Sequence, residues 1–295
     1  MRNKVFKENP NQAFHLHAKK SLGQNFLNDQ NIIEKIANSI NSLFLKDGNK
    51  YLHEIGPGSG SLTKPLLDRG IHILALEKDQ RAVDGLNETL AKNNPDQIKV
   101  VQTDILKWSP DNDKKISNLS KTICVGNLPY YITSDILFWF CKYKEFYNHG
   151  IFMVQNEVAD RLNAKPGTKD YGRLTVRIQL FFHVQKLFEV PSHCFVPRPK
   201  VDSAIVQLTP KDFSFSTFEE DNAFSKFTTV LFSARRKMLR RALAAQLGEL
   251  EKKEPGKIES FWKLAHQHGI SEETRPDTLP PTTILAFHKF FLGIN

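Results

Sequence analysis

The stretch Tyr51-Leu-His-Glu-Ile-Gly-Pro-Gly-Ser-Gly60 decides how the chain is read. Tyr51 to Ile55 fits a short buried strand. A Gly-x-Gly-x-Gly turn follows, and then Leu62, Leu66 and Leu67 recur at helix spacing. A strand, a glycine turn and a helix in that order let backbone approach a ligand at the end of a parallel strand.

The same rhythm continues outward from this stretch. Residues 71–76 read as a second strand ending at Glu77, and 80–91 as a helix. Residues 98–102 form a third strand with Asp104 just past it. Residues 122–125 form a fourth strand running into Gly126-Asn127-Leu128-Pro129-Tyr130. A helix over 134–143 and a strand over 151–154 follow. Upstream, Ile32, Ile33, Ile36, Ala37, Ile40, Leu43 and Phe44 predict a helix after the candidate cap Asn28. Alternation of this kind predicts an α/β fold, a mostly parallel sheet with helices on both faces. From about Phe213 the pattern turns helical, near 218–247, 257–268 and 282–292. The expected organisation is a basic, flexible arm over 1–20, an α/β domain over 21–210 and a small all-helical domain over 211–295. The segment 165–172 (KPGTKDYG) reads as a polar loop within the larger domain.

Bulk properties narrow the function. The 295 residues carry 41 Lys and Arg against 32 Asp and Glu, a formal net charge of +9, which favours a polyanionic partner. No apolar run is long enough to span a bilayer, and no apolar segment follows the basic start. A charge of this size suits nucleic acid or an anionic membrane surface, and a merely soluble basic enzyme would carry it as well. Cys124, Cys141 and Cys194 lie far apart, which argues against a zinc knuckle or a disulfide framework and fits a reducing, cytoplasmic setting. His15, His17, His53 and His183 lack metal-ligand spacing. They are read as structural or surface residues, and no metal is expected. The Phe181-Phe182 and Phe290-Phe291 pairs are read as core.

The glycine turn departs from the dinucleotide pattern Gly-x-Gly-x-x-Gly, which places a pyrophosphate on a helix N-terminus. Here Glu54 stands two residues before the first glycine. That arrangement suits a cationic ligand without phosphate, and S-adenosylmethionine, with its sulfonium and ammonium groups, is such a ligand. Glu77 stands where an acid can hold ribose hydroxyls. Asp104 can accept a hydrogen bond from an adenine amine. Taken singly, each of these acids is as well explained as a solvated strand end or a helix cap.

Asn127-Leu128-Pro129-Tyr130 is the most specific local signal. An exocyclic aromatic amine is a poor nucleophile because its lone pair is delocalised into the ring. Two acceptors aimed at its hydrogens pull it toward tetrahedral geometry and free that pair. The Asn127 side-chain oxygen and the Leu128 carbonyl are the candidates, with Pro129 restricting Leu128. Tyr130 can stack on the base. Catalysis of this kind rests on orientation and preorganised dipoles. Without the cofactor features, a proline-punctuated turn explains the segment equally well.

At this point the chain resembles the ribosomal RNA adenine dimethyltransferases, most closely their bacterial small-subunit members. The resemblance runs from about Lys19 to Phe291. It rests on Lys20-Ser-Leu-Gly-Gln-Asn-Phe-Leu-Asn28, Glu54 to Gly60, Gly126 to Tyr130 and Gln155-Asn-Glu-Val-Ala-Asp-Arg-Leu162. Further matches are Asp170-Tyr-Gly-Arg-Leu174, the stretch from Val190 to Ala204, and Phe232-Ser-Ala-Arg-Arg-Lys-Met-Leu-Arg240. It implies a Rossmann-like S-adenosylmethionine-dependent methyltransferase sheet with a small C-terminal all-helical domain. It also implies dimethylation at N6 of two adjacent adenines near the 3′ end of small-subunit ribosomal RNA, in an assembling subunit. Asn25 and Leu27 would then touch the cofactor together with Gly56, Glu77, Asp104 and Asn127. Ile105 would pack near its adenine, and Phe195 would stack on the target base opposite Tyr130. Tyr131 departs from the family pattern, in which many members carry Asn after the motif.

The RNA surface is expected at the basic cluster Arg235, Arg236, Lys237, Arg240 and Arg241. On a helix over 231–243 these bases lie mostly opposite Leu231, Met238, Leu239, Ala242 and Leu243. Lys19, Lys20, Arg198 and Lys200 extend the footprint. A monomer with no membrane partner is expected. The alternatives are a large-subunit adenine methyltransferase of the antibiotic-resistance type, a DNA adenine methyltransferase, and a non-catalytic factor in small-subunit assembly.

Overall fold

The computed structural model describes residues 14, 16–19, 23–47, 50–113 and 121–294. The chain opens with β1 (Phe26–Leu27), α1 (Gln30–Asp47), β2 (Tyr51–Ile55), α2 (Thr63–Leu67), β3 (His72–Glu77) and α3 (Gln80–Leu86). Next come β4 (Ile98–Gln102), β5 (Thr122–Asn127), α4 (Thr133–Lys142), β6 (Tyr147–Gln155), α5 (Asn156–Asn163) and α6 (Arg173–Phe181). After β7 (Phe182–Val190), β8 (Phe195–Val196) and β9 (Ser203–Pro210) the chain is helical. Its last helices are α7 (Phe218–Ser233), α8 (Leu239–Ala242), α9 (Ala244–Lys253), α10 (Lys257–Gln267) and α11 (Pro281–Leu292).

Seven strands form one sheet in the order β4-β3-β2-β5-β6-β9-β7. Neighbours from β4 to β6 run parallel, and β9 is antiparallel to β6. Every residue of β2 is buried, as expected of a parallel strand covered on both faces. The chain winds outward in both directions from the β2/β5 pair. Strand order therefore reverses there, and a crevice opens at the carboxyl ends of these two strands. His53, in the middle of β2, is structural: its Nδ1 lies 2.9 Å from the Tyr147 hydroxyl and its Nε2 3.0 Å from Asp113 Oδ2.

Three local expectations change. Asp29, not Asn28, caps α1, since its Oδ1 accepts from the Ile32 amide at 3.0 Å. The Asn28 amide is used elsewhere, donating to the Cys194 carbonyl at 2.8 Å. The arm expected over 1–20 falls largely outside the described residues, yet its described part is packed. Leu16 is buried against Phe26 and Ala82, and Phe14 lies on α3 at Gly85. Apolar side chains on an otherwise polar segment gain from that burial. The helical pattern over 218–247 is interrupted between Ser233 and Leu239, where the Lys237 amide donates to the Ala234 carbonyl at 2.8 Å in a tight turn. Leu231, Leu239, Ala242 and Leu243 are nonetheless all buried.

The chain divides into two compact units, residues 1–159 with 183–210 and residues 160–182 with 211–295. In this division residues 160–182, read in the sequence with the larger domain, group with the helical part. Contacts inside the second unit account for this. The Tyr171 hydroxyl donates to the Leu279 carbonyl at 2.7 Å, and Arg177 Nη2 pairs with Asp221 Oδ2 at 2.7 Å. The Gly167 amide donates to the Asp277 carbonyl at 2.7 Å, which pins the loop over 165–172. Phe181 and Phe182 are buried as expected, while Phe290 and Phe291 are half-buried against Phe261.

Candidate functional site

A cavity lies at the carboxyl ends of β2, β3 and β5, inside the first unit. Its lining includes Asn25, Leu27, Glu54, Gly56, Glu77, Asp104, Ile105 and Asn127 to Tyr131. With the exception of Phe195, the residues expected at the cofactor and at the reacting amine therefore meet in one place.

The glycine turn is built for close approach. Gly56, Gly58 and Gly60 have φ of +64°, +58° and +77°, a region that L side chains rarely adopt. A Cβ on Gly58 would stand 2.9 Å from the Phe26 ring, so β1 lies directly against the turn. Glu77 locks this geometry. Its Oε2 accepts from the Gly58 amide at 3.1 Å, and its Oε1 accepts from the Lys78 and Asp79 amides, each at 2.8 Å. Burial raises the Glu77 carboxyl above its ordinary value despite these three donors. The acid read from sequence as a ribose ligand is thus also the tie between the turn and the end of β3.

Glu54 differs in kind. It is buried, and its Oε2 has no hydrogen-bond partner. Burial pushes its carboxyl up to about 7, the nearby Thr63 hydroxyl opposing that rise and the negative charge of Glu77 adding to it. An orphaned acceptor on a cavity wall is costly to leave unmade and calls for a donor from a ligand. An ammonium group meets that need.

Asp104 is already engaged. Its Oδ1 accepts from the Leu106 amide at 3.1 Å and its Oδ2 pairs with Lys78 Nζ at 2.8 Å. Lys78 holds the Asp104 carboxyl below its ordinary value, so Asp104 is ionised at neutral pH. Nothing in the spacing of the chain singled out Lys78.

The reacting end is fixed from two sides. The Leu128 amide donates to the Met153 carbonyl at 3.0 Å, and the Pro129 carbonyl accepts from Thr133 Oγ1 at 3.0 Å. Asn127 Nδ2 donates to the Asn25 carbonyl at 3.0 Å. Gly126 admits no side chain, since a Cβ there would stand 2.8 Å from the Ile55 carbonyl oxygen. Tyr130 is half-buried, and its hydroxyl lies 2.7 Å from Ser203 Oγ. Ser203, fully buried at the start of β9, was missed. Its signal was only its place inside the family-like stretch ending at Ala204.

Phe195 is not among the lining residues. It pairs with Leu27 between β8 and β1 and is 2% exposed within the apolar core. Its ring packs in that core beside β1, whose residues Phe26 and Leu27 line the cavity. Among the basic residues, Lys20 lies outside the described residues. Lys19 is exposed, 3.8 Å from Asp79 Oδ1, and Arg198 and Lys200 are exposed. In the second unit Arg236, Lys237, Arg240 and Arg241 are exposed. Arg235 is half-buried instead, with Nη2 donating to the Lys169 carbonyl at 2.9 Å and Nε 3.5 Å from Asp277 Oδ2.

Comparison with known proteins agrees with this geometry. The ribosomal RNA small subunit methyltransferase A of Pediococcus pentosaceus is 38% identical over 280 residues, covering 94% of this chain and 90% of that protein. Among solved structures, a dimethyladenosine transferase from Plasmodium falciparum superposes with a TM-score of 0.70 at 25% identity, over 89% of this chain and 95% of that one. The 23S rRNA methyltransferase ErmE gives a TM-score of 0.61 at 26% identity, over 90% of this chain and 99% of that one. The fold is thus the Rossmann-like sheet of the RNA methyltransferases. The model of the ribosomal RNA adenine dimethylases matches residues 15–275, and it is to that family that the chain belongs.

Proposed function

We propose that the protein transfers methyl groups from S-adenosylmethionine to N6 of two adjacent adenines near the 3′ end of small-subunit ribosomal RNA, within an assembling subunit and as a monomer. The observation that carries this reading is the Asn127 side chain. Its Nδ2 is committed to the Asn25 carbonyl, so its Oδ1 is the atom left to accept from a substrate amine.

The cavity residues suit the cofactor. Glu54, with its orphaned Oε2, offers a counter-charge to the ammonium group. Gly56 and Gly58 supply backbone without side-chain obstruction, and Glu77 and Asp104 offer acceptors to the ribose and adenine. When bound, the cofactor supplies a methyl group on a cationic sulfur that leaves as a neutral thioether. Asn127 Oδ1 and the Leu128 carbonyl would accept from the two amine hydrogens, and from the one that remains after the first transfer, and so orient the nitrogen lone pair; the proton displaced at each transfer would pass to solvent. Tyr130, anchored by Ser203, covers the base and limits its rotation. Preorganised acceptors of this kind act by orientation and charge complementarity, with no covalent intermediate on the protein.

The ErmE likeness supports a second reading, action on large-subunit RNA. One experiment separates the two. Labelled S-adenosylmethionine is offered small subunits lacking adenine dimethylation, with large-subunit RNA alongside. Label recovered as dimethyladenine in the small-subunit RNA supports the proposal. Label confined to large-subunit RNA moves the protein to the second reading. No label in either, with the cofactor still bound, refutes both.

A further inference from the structure

Tyr131 is 56% exposed, the most exposed of the large apolar side chains among the described residues. It also lines the cavity, so its ring stands at the mouth. One side of the ring is propped against the chain at Gly23, where an added Cβ would stand 3.1 Å from Tyr131 Cδ1. Gly23 has φ of +59°, so the prop combines a left-handed backbone with the absence of a side chain. The rest of the ring is open to solvent. Two other exposed large apolar residues of this unit, Leu106 and Val196, lie next to lining residues in the chain or across a strand pair. Leu106 follows Ile105, and Val196 pairs with Phe26. Lys78 lines the same cavity with a 58% exposed side chain, its charge balanced by Asp104.

A flat, exposed aromatic ring at the entrance to this cavity matches the chemistry of single-stranded nucleic acid, offering a π face on which a base can stack. We propose that Tyr131 is the stacking platform for the nucleotide next to the target adenine, an inference that rests on the RNA-methylating function argued above. When one adenine of the pair is flipped into the cavity against Tyr130, its neighbour lies on Tyr131. The two successive tyrosines then read two successive bases, one inside the cavity and one at its mouth. Flipping removes the neighbour's stacking partner, and the Tyr131 ring replaces it.

The test is steady-state methylation of small subunits lacking adenine dimethylation by wild type, Tyr131→Ala, Tyr131→Asn and Tyr131→Phe. Affinity for S-adenosylmethionine is measured in parallel by calorimetry. Loss of one base–aromatic stack corresponds to a rise in KM for the subunit of roughly 5- to 100-fold. That rise is expected for Tyr131→Ala and Tyr131→Asn. Tyr131→Phe keeps the ring and should stay within about threefold of wild type, because the stack depends on the π face and not on the hydroxyl. Unchanged KM in Tyr131→Ala, with an active wild type, overturns the inference and leaves the function standing. So does an equal loss of cofactor affinity in Tyr131→Ala, which would mark a merely structural residue. A wild-type protein that binds cofactor and methylates no adenine overturns the function itself, and this inference with it.

Discussion

Asn127 Nδ2 donates to the backbone carbonyl of Asn25 across 3.0 Å, joining the end of β5 to the segment that leads into β1. That bond decides which way the Asn127 amide points. Replacing Asn127 by Asp puts two acceptors where one donor is needed and sets a carboxylate against the Asn25 carbonyl. We expect Asn127→Asp and Asn127→Ala each to lower kcat by about 10²- to 10³-fold, the range for removal of one preorganised polar group. Cofactor affinity should change only a few-fold, and the melting temperature by a few degrees. Single-turnover methylation with parallel calorimetry checks this, and wild-type turnover by either variant would exclude the assigned role.

The segment ahead of Asn25 is held by α3. Lys19 donates its amide to Gln24 Oε1 at 2.8 Å, Gln24 Nε2 donates to Asp79 Oδ2 at 3.2 Å, and Arg81 Nη1 donates to the His17 carbonyl at 3.1 Å. Phe14 completes the attachment by lying on Gly85, where a Cβ would meet its ring at 2.3 Å. Gly85→Ala is therefore an informative variant. In a helix interior this change ordinarily stabilises by about 1 kcal/mol, whereas here it must displace Phe14. The expected outcome is a melting temperature that does not fall, together with faster proteolysis before Gly23 and weaker cofactor binding. Unaltered cleavage would show that Phe14 is not an anchor.

If Glu54 meets the cofactor's ammonium group as proposed, binding should depend on pH. The Glu54 carboxyl is raised from an ordinary 4.5 to about 7, so the empty site is largely protonated at pH 6 and largely ionised at pH 8. A cationic ligand favours the ionised form. Affinity should therefore rise as pH climbs through 7, and binding below that pH should release a proton. Calorimetry in two buffers of different ionisation enthalpy measures the release. The sign for stability is opposite. A raised folded-state value means that the folded protein binds more protons between 4.5 and 7, so this contribution is present below 4.5 and is lost as pH rises through about 7. Glu54→Gln should flatten both profiles and weaken cofactor binding by roughly 10- to 100-fold. A pH profile unchanged in Glu54→Gln would assign the titration to another group.

What the sequence revealed, and what it hid, follows from the range of the interactions. The strands β2 to β5 were legible because buried parallel strands show as apolar runs and glycine turns mark their ends, whereas their order in the sheet carries no mark in the chain. Gly56, Glu77, Asp104 and Asn127 stood out for the same reason, each at or just past a strand end. Ser203 was not, because its contact with Tyr130 joins residues 73 apart in the chain and a buried serine has no pattern of its own. The placement of residues 160–182 was hidden by order along the chain. A polar loop and one short helix carry no mark of the unit they join, and the contacts of Tyr171 and Arg177 that decide it reach residues far downstream.

The basic cluster of the second unit separates into two kinds of arginine, and the separation can be measured. Arg235 is half-buried and tied to Lys169 and Asp277, so Arg235→Ala should destabilise the fold by about 1–3 kcal/mol by removing a charge-assisted hydrogen bond and an ion pair. Arg240 and Arg241 are exposed at α8, and their loss should leave thermal stability nearly unchanged. If they contact RNA phosphates, each substitution weakens binding across all RNA sequences alike. It should also lower the slope of log affinity against log salt by about 0.7 to 0.9 per lost contact. Filter binding to small-subunit RNA at four salt concentrations, paired with thermal melts, reads both effects. A reduced salt slope in Arg240→Ala and Arg241→Ala beside an unchanged slope in Arg235→Ala would place the RNA backbone along α8. Equal slopes in all three would move that contact to Lys19, Arg198 and Lys200, the exposed cations of the first unit.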